Sequence, residues 1–84
     1  MIPKSPTEAV RLYRLASDQG HAKAMTNLGI ALYTGTGVDQ KDPAAAKELW
    51  EEAAELGVSQ ADFCLKNMEE RPGELLDYFG GGRE

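Results

Sequence analysis

At 84 residues and a formal net charge of −5, the chain is one small domain near the lower limit for a self-sufficient core. Its acidic balance disfavours nucleic acid and anionic membrane as partners, and no run approaches the roughly 18 apolar residues of a membrane span. A single cysteine, Cys64, excludes an intramolecular disulfide and reads as a buried small side chain.

Met1-Ile2-Pro3-Lys4-Ser5-Pro6 lacks the apolar core of a signal peptide, which fits a cytoplasmic protein or a fragment of a longer one. Ser5-Pro6-Thr7-Glu8 is a helix start: a hydroxyl cap, a proline at the first helical position and a glutamate three residues on. The first helix runs from Pro6 to about Asp18, with Ala9, Leu12, Tyr13 and Ala16 facing inward. Gly20 ends it in a left-handed cap, and a short turn leads into a second, antiparallel helix near Ala22. That helix carries Ala24, Leu28, Ala31 and Leu32 as one apolar stripe and stops at Gly35 and Gly37. A loop over 35–42 follows, with Val38 plugged onto the core.

Asp42-Pro43 repeats the start signal, so the third helix spans Pro43 to about Leu56, and Gly57 ends it. The fourth begins near Ser59 as its cap, with Ala61, Leu65 and Met68 inward and Phe63 or Cys64 at its edge. Pro72-Gly73 breaks the chain before a short capping helix over 74–79 and a disordered tail over 80–84.

The halves match in register. Ala9, Leu12, Tyr13, Ala16, Gly20, Ala24 and Leu28 recur 37 residues later as Ala46, Leu49, Trp50, Ala53, Gly57, Ala61 and Leu65. The fold class is therefore all-α: a solenoid of two helical hairpins, 5–41 and 42–70, in which the second helix packs against both of its neighbours. The phrase Asn27-Leu28-Gly29, Tyr33, Gly35-x-Gly37-Val38, followed by Ala46-x-x-Leu49-Trp50-x-x-Ala53-Ala54-x-x-Gly57, resembles a Sel-1-like repeat, a relative of the tetratricopeptide repeats. Gly29, without a side chain, lets two helices approach closely. The loop after Val38 is one residue longer than the family's usual spacing. The second repeat is degenerate, with Lys66 and Glu70 at the positions of Gly29 and Tyr33. The resemblance implies hairpins stacked in a right-handed superhelix that binds other proteins, with no catalytic residue and no cofactor.

Catalytic readings fail on inventory. His21 is the one histidine and stands in a turn, and one histidine with one distant cysteine makes neither a nucleophile pair nor a zinc site. Gly35-Thr36-Gly37 follows a helix and lacks the lysine of a phosphate loop. Glu48, Glu51, Glu52 and Glu55 coat a solvated face. Superposed repeats place Arg11 on Glu48 and Arg14 on Glu51, at about 10 Å between stacked helices. Such pairs tie the repeats together at under about 1 kcal/mol each.

Val10 and Leu15 are apolar where the second repeat has Lys47 and Glu52, so the outer surface of the first helix is expected to be covered. The chain thus reads as a non-catalytic adaptor or scaffold piece. In related solenoids the first helix of each pair lines the concave face, which points to Arg11, Arg14, Glu48, Glu51 and Glu52 for partner contact, with Asn27 as a weaker contact and Tyr33 in the core. The acidic third helix favours a basic peptide or patch. Two alternatives stand beside this: end-to-end self-association through the repeat faces, and a hydrolase-like activity. The latter has been proposed for cysteine-rich relatives and needs a disulfide in each repeat, which Cys64 alone cannot supply.

Overall fold

Matching capping chemistry at the heads of two helices sets the frame. The Ser5 hydroxyl accepts from the Glu8 N–H at 3.2 Å, and the Asp42 carboxylate accepts from the Ala45 N–H at 3.1 Å. Pro6 and Pro43 follow these caps and open α1 (Pro6–Asp18) and α3 (Pro43–Glu55). Between and after them run α2 (Ala22–Thr34) and α4 (Ser59–Glu70). The structure, a computed structural model, describes residues 5–70, without the side chains of residues 69 and 70. The helix expected over 74–79 and the tail over 80–84 lie outside the described residues.

The tails of α1 and α3 are equally alike. Gly20 (φ 89°) and Gly57 (φ 98°) take the left-handed conformation. The His21 and Gly20 N–H groups return to the Ala16 and Ser17 carbonyls, and those of Val58 and Gly57 return to Ala53 and Ala54. This is the Schellman arrangement at both ends, and it turns the chain back within a few residues. Two start-site details differ from the sequence reading. The Glu8 carboxylate lies 3.9 Å from Arg11 rather than closing back on Ser5. At α4 the Val58 carbonyl accepts from Ala61 and Asp62, so Val58 holds the cap position and Ser59 is already inside the helix.

Layered packing follows the chain order. Helix α2 lies between α1 and α3 and packs most extensively on α3, while α4 packs on the far side of α3. Trp50 of α3 is fully buried on α2. Its indole Nε1–H donates to the Thr26 carbonyl at 3.1 Å, and its ring lies over Gly29. A Cβ on Gly29 would stand 2.5 Å from Nε1 and 2.8 Å from Cδ1, so glycine is what admits the ring. The Tyr33 ring meets Trp50 at 5.5 Å between centroids, tilted by 52°. Burying an indole of this size contributes roughly 5 kcal/mol of transfer free energy. Thr26 is fully buried, with its hydroxyl donating to the Ala22 carbonyl.

The loop after α2 folds back onto α1. Gly35 and Gly37 take positive φ, and the Asp42 N–H closes the loop onto the Leu32 carbonyl at 2.8 Å. Gly37 lies directly against the Pro6 carbonyl and the Val10 side chain, leaving no room for a Cβ. Val38 is half-buried against the core as expected.

Val10, expected to be covered, is buried beneath this loop, whereas Leu15, for which the same cover was expected, is 51% exposed beyond the loop's reach. Leu12, expected inside, is 42% exposed, and Ala9, Tyr13 and Ala16 are half-buried where Ala46, Trp50 and Ala53 are fully buried. The reason is position: α3 has a helix packed on each side, whereas among the described residues α1 packs extensively on one helix, α2. On α4 the inward residues are Ala61 and Cys64, both fully buried. Leu65 and Met68 are half-buried and Phe63 is exposed.

Replacing Gly29 with alanine is therefore expected to destabilise the fold by about 1–3 kcal/mol through overpacking against the indole. Trp50→Ala should cost about 3–5 kcal/mol, and Trp50→Phe distinctly less. Urea unfolding followed by far-ultraviolet circular dichroism checks the order, and a Gly29→Ala protein as stable as the parent would contradict the packing described.

Candidate functional site

Seating α3 on α2 leaves α1 and α3 as the two banks of a groove of about 360 Å³. Helix α1 contributes Arg14, Ser17 and Asp18, and α3 contributes Ala45, Glu48, Leu49 and Glu52. Leu28 and Leu32 of α2, four residues apart and so on one face, form the floor. The groove thus has an apolar base, three carboxylates on its banks and a single guanidinium.

Of the residues singled out for partner contact, Arg14, Glu48 and Glu52 are brought together here. Arg11 is not. It lines a hollow between α1 and the loop, with Thr7, Val10, Gly37, Val38 and Asp39, and Arg14 borders that hollow as well as the groove. Glu51 is exposed and Asn27 is half-buried on α2, and neither lines the groove. The cross-repeat ion pairs are not formed: Arg11 pairs with Glu8 on its own helix, and among the described residues Arg14 has no ion pair with Glu51. One turn of helix separates Arg11 from Glu8, which is closer than another helix can come.

Sequence reasoning did not single out Asp18, Ser17 or Ala45. They lie at helix positions that the repeat pattern leaves unassigned, and only the juxtaposition of α1 and α3 gives them a common face. Leu28 and Leu49 carried a signal, as members of the repeat, but it marked them for packing.

On α3 the carboxylates stand against local preference. Glu48 and Glu52 are one turn apart, where like charges repel by about 0.2–0.5 kcal/mol. Glu52 and Glu55 occupy the last turn, which holds no basic residue, at the negative end of the helix dipole. The banks of the groove therefore carry an excess of negative charge, three carboxylates to one guanidinium.

The residues of nucleophilic type are placed apart from it. His21 is exposed at the head of α2, with no side-chain cap bond. Cys64 is fully buried, and burial pushes its thiol up to about 11, so it is not a thiolate at neutral pH. Among the described residues no group of histidine, cysteine and carboxylate side chains is arranged to hold a metal ion, and no helix is long and apolar enough to cross a membrane.

A family model described as Sel1 repeat matches residues 1–21 and 22–58. The second segment runs from the head of α2, through the loop, to the turn after α3, so it contains Thr26, Gly29 and Trp50 together. No curated protein and no solved structure matches the chain.

Burial raises the proton affinity of Cys64 from an ordinary 9.0 to about 11, and raises that of Tyr33 above its ordinary 10.0. Both are acids that hold their protons longer when folded, so the unfolded chain releases protons first. The Cys64 contribution is complete below pH 9.0 and is lost as pH rises toward about 11; that of Tyr33 is complete below its ordinary 10.0 and falls as pH rises above it. Thermal melts across that range should show a falling Tm, with a shallower fall in Cys64→Ala. At pH 8, a thiol reagent such as dithionitrobenzoate should label Cys64 only as fast as the protein unfolds. Rapid labelling of the native protein would contradict its burial.

Proposed function

We propose, from the premise that this chain belongs to the Sel1 repeat family, that it is a non-catalytic protein-binding module. In this reading it grips a basic, partly apolar segment of a partner in the groove between α1 and α3. Sel1 repeats mediate protein–protein interaction, which supplies the class of activity. The observation that carries the finer reading is the groove: an apolar floor of Leu28 and Leu32 beneath banks bearing Asp18, Glu48 and Glu52. An extended peptide laid along it sets an apolar side chain on the floor and lysine or arginine side chains against the carboxylates. Arg14, the one cation on the banks, meets a carboxylate or carbonyl of the partner and so selects its direction.

The energetics favour a modest, reversible contact. The charged groups are solvent-exposed, so each pair is worth under about 1 kcal/mol and is screened within about 8 Å at physiological salt. Affinity then rests on several weak contacts and a single apolar anchor, as suits an adaptor or scaffold that exchanges partners.

An amide-resolved NMR titration tests this with two short peptides of equal leucine content, one rich in lysine and one rich in glutamate. The lysine peptide should shift the amides around Arg14, Glu48, Leu49 and Glu52, more weakly as salt rises, and the glutamate peptide should leave them in place. The double variant Glu48→Lys, Glu52→Lys should lose the response while folding at least as stably as the parent: the 48/52 pair stays like-charged, but Glu51 and Glu55 gain opposite charges one turn away and the dipole term becomes favourable. Equal responses to both peptides, or shifts confined to α4, would sink the proposal.

A further inference from the structure

The groove between α1 and α3 is one end of a longer trough. Thr7, Val10, Arg11, Arg14, Ser17 and Asp18 recur at i, i+3 and i+4 spacing, so they share one face of α1. The first four line the hollow against the loop after α2. The last three line the groove against α3, and Arg14 belongs to both. The two spaces are alike in volume, about 360 Å³ each, and they meet at Arg14. Eleven helical steps of 1.5 Å separate Thr7 from Asp18, which makes the trough about 16 Å long. An extended chain, rising about 3.3 Å per residue, covers that distance in about five residues.

Charge changes sign along this trough. At the Thr7 end Arg11 and Arg14 stand with Asp39, two cations to one anion in a chain of net charge −5. At the Asp18 end three carboxylates outnumber Arg14. Arg11 and Arg14 are the only arginines among the described residues, and both are exposed. Among those residues neither guanidinium makes a hydrogen bond, since the contact of Arg11 with Glu8, at 3.9 Å, is too long for one. Each therefore presents its planar fork of five N–H donors, a shape that matches a carboxylate.

We propose that the trough takes a charge-segregated, extended segment of a protein partner. Its acidic end lies against Arg11 and Arg14, an apolar residue sits over Leu28 and Leu32, and its basic end lies against Asp18, Glu48 and Glu52. Such a segment presupposes the groove as a binding site and adds an acidic end to the basic residues placed there. A wholly basic segment is repelled at Arg11, and a wholly acidic one at Glu48 and Glu52. Reversing a segregated segment sets like charges together at both ends, so one orientation is favoured.

The test uses two end-blocked pentapeptides of one composition, Glu-Glu-Leu-Lys-Lys and Lys-Glu-Leu-Glu-Lys, in an amide-resolved NMR titration of the full chain. At low salt the segregated peptide should bind at least about threefold tighter, and the preference should shrink as salt rises. A nitroxide on its glutamate end should broaden the amides of Thr7 and Arg11, and one on its lysine end those of Asp18 and Glu52. Arg11→Gln should bring the preference close to unity, while the lysine-rich peptide of the groove titration binds as tightly as before. Equal affinities for the two pentapeptides, or broadening of Asp18 by the glutamate end, overturns the segregated trough. If the lysine-rich peptide still shifts Glu48 and Glu52 in that case, the groove stands; if that shift is also missing, the groove falls with it. Silence of residues 7–14 toward both pentapeptides overturns the trough too, whether the hollow takes nothing or the chain's own ends fill it.

Discussion

Everything in this small fold hangs on how Trp50 is received by α2. An indole is too large to lie between two helices at ordinary spacing unless one of them withdraws its side chain, and Gly29 does so. The ring also carries a polar N–H that must be satisfied once water is excluded, and the Thr26 carbonyl accepts it. Shape and hydrogen bonding thus select the same position of α3 along α2, a register that apolar packing alone would leave free to slide.

That register has consequences beyond the core. With α3 fixed on α2, and α1 fixed on α2 by the Gly37 loop over Val10, the distance between α1 and α3 is no longer adjustable. The groove between them is the space left over, and Leu28 and Leu32 of α2, themselves buried in the core, close its base. The family match reflects the same logic. Its complete unit, 22–58, is cut at the short turns and not at the long loop, so it encloses the whole Trp50–Gly29 contact rather than one hairpin. The unit of sequence similarity is the interlocking pair α2–α3, in keeping with a solenoid stabilised by interfaces between neighbours.

Placed on that rigid frame, surface residues are free to differ between repeats. Arg14 in the first repeat corresponds to Glu51 in the second, and Val10 to Lys47, without disturbing the backbone. Val10 is apolar because a loop lies over it; Lys47 is exposed. The fold carries the shape of the groove, and the variable positions carry its charge.

The sequence by itself determined the four helices, their pairing and, apart from the cap of α4, their ends. Helix heads and tails are local events: Ser5, Asp42, Gly20 and Gly57 act on backbone groups a few residues away, so their chemistry is legible from adjacent letters. The family resemblance likewise pointed to Gly29, bare of a side chain, as a point of close approach. What only the tertiary structure decided is which faces are covered. Leu12 and Leu15 are exposed where an inward and a covered position were expected, because burial depends on a loop and a neighbouring helix that the periodicity of α1 does not encode. Arg11 and Arg14, three residues apart and alike in sequence, share the hollow beside the loop, but Arg11 pairs along its helix with Glu8 while Arg14 also reaches the groove. Periodicity assigns a residue to one side of a helix, but the packing of other helices decides whether that side is core, bank or open surface.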